Sequence, residues 1–209
     1  MNLALTTPVA STRSTLMPTV RLALIALALL VTFTHDAAAQ TAPEPSPAWE
    51  FLVPTGGMIP TGAQQSALDR GALTTAQLLR VVQPALALTA TLGWARSHDL
   101  ASAGDNALDI IGFDLGTELR GTRWALGRGI SLRPFAGIGA GARHYDHRHL
   151  ALDASNKTTA YVSAGGEFGV RRVRVRLEAR DYLAAARPFA GEHADNDVTL
   201  MAGVRWVAR

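Results

Sequence analysis

The sequence predicts an all-β protein: an eight-stranded antiparallel up-and-down β-barrel that crosses a membrane, preceded by a cleaved signal peptide. Three observations lead there. Eight segments alternate apolar and polar side chains with a period of two, which is the signature of strands whose successive residues face opposite sides of a sheet. The links between these segments alternate between short and long. Charges recur on the polar face of strand after strand, so a soluble arrangement and a membrane arrangement make opposite demands on which face is inside.

Composition narrows the class before any strand is placed. The chain has 209 residues, one domain's worth, and no cysteine, so disulfides and thiol chemistry are excluded. Its formal charge is +3 and Lys157 is the only lysine. No basic cluster is interleaved with aromatics, and nucleic acid is excluded as a partner.

Arg13 and Arg21 precede an apolar run, Leu22 to Phe33, which is followed by Ala37-Ala38-Ala39. A basic region, a short apolar core and an A-x-A site make a secretory signal peptide. The run is too short for a spanning helix, which needs roughly 20 residues. Residues 1–39 are therefore expected to be removed, leaving Gln40 first. Residues 40–47, with Pro43, Pro45 and Pro47, read as a proline-rich leader. Residues 48–209 read as the barrel.

Strand one, 49–59, places Trp49, Phe51 and Val53 against Glu50. Strand two, 77–82, sets Leu79 and Val81 against Arg80; the preceding "GALTTAQLL" also suits a short helix. Strand three, 85–95, opposes Leu86, Leu88, Leu92 and Trp94 to small and hydroxylated residues. Strand four, 109–120, opposes Ile111, Phe113, Leu115 and Leu119 to Asp114, Glu118, Arg120 and two glycines. Strand five, 131–143, opposes Leu132, Pro134 and Ile138 to Arg133, Phe135 and three glycines. Strand six, 159–170, opposes Val162, Phe168 and Val170 to Thr159, Tyr161, Ser163 and Glu167. Strand seven, "VRVRLEARDY", alternates Val173, Val175, Leu177 and Ala179 with Arg174, Arg176, Glu178 and Arg180. Strand eight, 197–209, opposes Val198, Leu200, Val204 and Trp206 to Thr199, Gly203 and Arg205.

Strands two and three are joined by about two residues, as are six and seven, and strands four and five by the moderate turn "GTRWALGRG". The links near 60–76, 98–108, 144–158 and 183–196 are each ten residues or longer. Outer-membrane barrels have this asymmetry, with short periplasmic turns and longer outer loops. In a bilayer the apolar face looks outward and the polar face lines the lumen, and closure leaves no unpaired edge in hydrocarbon. An eight-stranded barrel is just wide enough for side chains to fill. The expected lumen network is structural: Glu50, Arg80, Asp114, Glu118, Arg133, Glu167, Arg174, Arg176, Glu178, Arg180 and Arg205. A two-residue turn at Arg171-Arg172 sets Glu167 opposite Arg176, predicting an ion pair there. The same rule sets Arg80 opposite Ala87 and Val81 opposite Leu86.

The alternative is a secreted lipocalin-like barrel with the apolar face around a small ligand and the charges in water. Trp49 and Trp206 at rim positions and the loop alternation favour the membrane. No catalytic motif is present, neither G-x-S-x-G, H-E-x-x-H nor a phosphate loop, and no enzyme is expected. A lipid A-modifying enzyme of similar size would use His and Ser near the outer rim. Ser97-His98 is the one adjacent pair, and adjacency on a strand points the two to opposite faces. Histidines 98, 144, 147, 149 and 193 fall in or beside outer loops. Imidazoles with a carboxylate suit a divalent metal, but a flexible loop does not fix ligand geometry; neither metal nor cofactor is expected. A surface-binding role through the loops is also open.

"LALTATLGWARS", "LRPFAGIGAGARHYD", "YVSAGGEFGVRRVRVRLEARDYL" and "LMAGVRW" resemble the bacterial outer-membrane β-barrel domain proteins. These small barrels are similar to the transmembrane domain of the outer-membrane protein A family. The resemblance covers nearly all of residues 48–207. It implies location in the bacterial outer membrane, contact with lipid and lipopolysaccharide, and insertion by the barrel-assembly machinery. That machinery reads an aromatic residue at the C-terminus of such families; here Trp206 stands three residues from the end. The resemblance carries no catalytic residues and leaves the oligomeric state open.

Overall fold

The computed structural model describes residues 49–100, 107–148, 154–170, 173–185 and 195–208. The signal peptide, the leader, the Arg171-Arg172 turn, His149 and His193 lie outside the described residues. Ten strands form one sheet: β1 (Trp49–Leu52), β2 (Thr55–Thr61), β3 (Gly71–Gln83), β4 (Leu86–His98), β5 (Ala107–Arg120), β6 (Trp124–Gly127), β7 (Ile130–His147), β8 (Ser155–Val170), β9 (Val173–Ala185) and β10 (Asp195–Ala208). β1 and β2 are one barrel strand broken at Val53–Pro54, because both keep the same register against β3 and against β10. Proline has no N–H to give a ladder, although the Pro54 carbonyl still accepts from the Thr75 amide at 2.8 Å. β6 is an annex that pairs only with β7. Eight antiparallel strands remain, and β10 closes on β1/β2.

The registers fix the geometry of closure. Stepping from strand to strand through paired residues runs Trp49, Arg80, Leu88, Thr117, Ile138, Val162, Asp181, Val198 and back to Ile59. One circuit thus returns to the first strand ten residues further on. With a rise near 3.3 Å and strands near 4.8 Å apart, that stagger tilts the strands by about 40°. The climb from Trp49 to Ile59 is then about 25 Å, the height of an outer-membrane apolar band.

Burial inverts the soluble rule. Leu92 is 56% exposed, Leu115 55% and Ile138 63%, all pointing outward, while Arg180, Glu118 and Arg176 are 2–3% exposed inside. The lipocalin alternative requires the reverse. Every strand face assigned from the alternation holds except in β3. There Thr75, Gln77 and Leu79 point inward and are buried, whereas Leu78 is exposed. The register explains the slip: Arg80 pairs with Leu88 and Val81 with Ala87, one residue from the expected pairing, and a bulge between Val81 and Gln83 absorbs the difference. "GALTTAQLL" is strand rather than helix, and the "GTRWALGRG" link holds β6.

Candidate functional site in the barrel lumen

Inward side chains from six strand segments meet in one ionic chain. Arg120 at the end of β5 grips Glu50 of β1 with both terminal nitrogens, at 3.0 and 2.6 Å, while its Nε donates to Glu118 at 2.7 Å. Arg176 of β9 donates to Glu118 at 2.6 Å and to Glu178 at 2.9 Å. Glu178 also accepts from Arg180 at 2.6 Å and from Gln77 at 3.3 Å. Arg180 lies 3.5 Å from Asp114, and the Tyr182 hydroxyl donates to Asp114 at 2.7 Å. At the other end Arg205 bridges Glu50, at 3.1 Å, and Glu167, which Arg174 meets at 3.1 Å. Five arginines and five carboxylates therefore alternate from Arg174 to Asp114, and the chain is neutral. Removing charges from water is costly, and fork-shaped guanidinium contacts to several carboxylates are what offset it.

Three aromatic rings carry the guanidinium faces. Arg176 stacks on Phe135 at 3.5 Å, Arg180 on Tyr161 at 4.7 Å and Arg143 on Tyr182 at 4.0 Å. Inward glycines make the room. A Cβ on Gly139 would sit 2.4 Å from the Tyr161 ring, and one on Gly165 would sit 2.3 Å from Phe135.

Nine of the eleven residues expected in the network join that chain. Arg80 does not: it is on the outer face, its guanidinium 4.9 Å above the Trp49 ring. The cause is the β3 register, which turns Leu79 inward instead. Arg133 is in the lumen mouth, where its Nε donates to the Gly121 carbonyl at 3.2 Å and another nitrogen to the Pro84 carbonyl, capping two short turns. The register pairing of Glu167 with Arg176 is present, but the ion pair expected from it is not. Both side chains reach across the lumen instead, Glu167 to Arg205 and Arg176 to Glu118. A ladder sets which Cα atoms face each other; a long arginine chain selects its partner across the barrel.

Several residues were not anticipated. Arg120 is on the predicted polar face yet absent from the expected network. Arg143 pairs with Asp197 nearer the outer mouth, and Tyr182 bridges Arg180 to Asp114. Above them the lumen turns apolar, with Met58, Leu68, Ala95, Leu108, Ile110 and Tyr145 in one cluster. The available signal was Leu108 and Ile110, which share parity with Asp114 and so point inward. Between the cluster and the ionic chain is a cavity of about 30 Å³ lined by Asp114, Arg143, Tyr182, Thr91 and Thr199 among others.

At the outer rim the histidines take separate partners. His144 shares a 2.8 Å hydrogen bond with Asn156, and His147 lies 3.1 Å from Asp99. Three positions apart on one strand, His144 and His147 face opposite ways. Among the described residues no group of three His, Cys, Asp or Glu is placed to hold a metal. Ser97 is buried and donates to the Asp69 carbonyl at 2.6 Å, whereas His98 is exposed on the other face.

A closed eight-stranded antiparallel barrel with charge inside and an apolar band outside is the fold of bacterial outer-membrane barrels. The chain is similar in structure to Neisserial surface protein A, at 12% identity over 75% of this chain and 95% of that one, with a TM-score of 0.52. It also matches the N-terminal barrel domain of Pseudomonas aeruginosa OprF (11% identity, 77% and 100% covered, TM-score 0.47) and the outer-membrane enzyme PagL (14%, 75% and 97%, TM-score 0.42). No protein-family model and no curated protein matches the sequence.

Proposed function

We propose that the chain is an integral barrel of the bacterial outer membrane that forms a closed wall and presents its outer loops at the cell surface, without conducting ions. The observation that carries this is the continuous Arg174-to-Asp114 ionic chain, which crosses the lumen with its charges neutralised pairwise. The signal peptide of residues 1–39 takes the chain out of the cytoplasm, the assembly machinery inserts it, and lipid and lipopolysaccharide surround it. A catalytic role has no support from Ser97 and His98, which diverge. Among the described residues no side-chain cluster marks a ligand site on the loops.

Planar-bilayer recording of the purified barrel tests the closed lumen. The expected result is no steady conductance; large, stable channel openings from wild-type protein would overturn it. Heat-modifiable migration on a gel tests insertion separately. A folded barrel migrates differently unheated, and a soluble protein recovered from the periplasm with identical migration would refute the membrane assignment.

A further inference from the structure

The link between β5 and β7 is more than a turn. All four residues of β6 are exposed, and among the described residues β6 has a partner along one edge only. Trp124 pairs with Leu132, so it shares the lipid-facing side of β7 with Leu132, Pro134 and Ile138. Leu126 is 56% exposed, and Trp124 and Ile130 are each 37% exposed. The apolar outer face of β7 therefore continues past the end of the barrel onto this hairpin, beyond the level of Trp49 and Trp206.

The tip of the hairpin is Gly127-Arg128-Gly129, with φ of 89°, 52° and 75°. Glycine adopts this left-handed conformation without steric penalty and arginine does not. Arg128 contributes nothing to the turn that a third glycine would not, so its value is in its side chain. The charge around it is one-sided. At this end of the barrel, among the described residues, the charged side chains with outward exposure are arginines, Arg80 and Arg128. Glu50, Glu118 and Glu167, the carboxylates nearest this end among the described residues, are buried in the lumen. The opposite end mixes both signs, as in Asp109 held between Arg96 and Arg148.

From this we propose that the β6 hairpin is a foot lying in the headgroup layer of the periplasmic leaflet, with Trp124, Leu126 and Ile130 at the acyl boundary and Arg128 on the phosphates of anionic phospholipid. Indole and aliphatic side chains over a cationic tip are the composition that such an interface selects. The inference rests on the membrane-barrel assignment above.

Because the protein has no cysteine, Leu126→Cys accepts a single polarity-sensitive fluorophore. The labelled full chain is reconstituted in vesicles of phosphatidylcholine, alone or with one-third phosphatidylglycerol. The expected result is blue-shifted emission, quenching by brominated acyl chains and protection from iodide. Phosphatidylglycerol is also expected to be enriched around the protein, with Arg128→Gln lowering that enrichment about fivefold. Emission typical of water with full iodide quenching in both vesicles would overturn the foot, as would enrichment unchanged by Arg128→Gln. A fluorophore exposed in vesicles but shielded by an added acidic peptide would assign the open β6 edge to a protein partner and overturn the lipid assignment. Heat-modifiable migration is followed in every sample, so a failed foot is distinguished from a failed barrel.

Discussion

Replacing Glu178 with alanine withdraws the carboxylate on which two arginines converge. Arg176 and Arg180 approach it at 2.9 and 2.6 Å, and Gln77 adds a third donor. At an effective dielectric near 20, each contact is worth roughly 6 kcal/mol before desolvation. Most of that is offset by the cost of taking the ions out of water, and each arginine keeps another acid, Glu118 or Asp114. What remains is the penalty for leaving buried positive charge short of a partner, about 3–5 kcal/mol. Glu178→Gln keeps the volume and one acceptor oxygen, so its loss is smaller. Arg176→Met in the Glu178→Ala background then costs less than it does alone, since it removes a charge that has already lost a partner. The assay is reversible urea unfolding in lipid vesicles, followed by tryptophan emission and by heat-modifiable migration. A Glu178→Ala loss of about 1 kcal/mol or less is the value of a solvated surface pair. That outcome would refute a dry, mutually supporting lumen.

Ile138 lies halfway along the residue path that climbs the barrel, which puts it near the bilayer midplane; Ile138→Arg is expected to destabilise insertion by about 2–4 kcal/mol, measured by the same unfolding assay. Wild-type stability for that variant would argue against a lipid-facing Ile138. Gly139→Ala forces a methyl to within 2.4 Å of the Tyr161 ring, so a loss of about 1–3 kcal/mol is expected from overpacking; no loss would mean that the ring has room to move. Mass spectrometry of protein from membranes is expected to return a chain starting at Gln40, and an intact Met1 would refute cleavage after Ala39.

Much of the fold was legible because β-strands report their faces directly. Every second residue from Arg174 to Tyr182 is charged or polar, and a one-residue slip of the ladder would set those residues opposite the apolar face of the neighbouring strand. The alternation alone places β3 one residue out, because Arg80 is its only charge and charges mark the inside of the other strands. Gln77 and Thr75 are weaker markers but were the true ones, and the Val81/Gln83 bulge is invisible without the partner strand. The site divided in the same way. Membership of the lumen follows from parity within one strand, whereas partner choice depends on how far a guanidinium reaches across a staggered barrel. Thus Arg176 meets Glu118, 58 residues away, and not the Glu167 beside it in the ladder. The apolar outer mouth inverts the same marker, since Leu108 and Ile110 point inward while the charge between them, Asp109, is on the outward face held by Arg96 and Arg148.

The break at Val53–Pro54 has a consequence for how the molecule is made. Every other neighbouring pair in the barrel is a hairpin whose strands are adjacent in sequence, so those contacts form locally and early. The exception joins β1/β2 to β10, and it brings together residues more than a hundred positions apart, Trp49 with Ala208 for one. That seam pays the largest loop-closure entropy, and the first strand meets it as two segments, β1 and β2, with Val53–Pro54 between them. Gly203 lies directly against Pro54 across the seam and has no side chain to cover that gap in the last edge to be joined. The barrel is thus built as a curled sheet that zips shut late, and its first and last strands are where it is easiest to open.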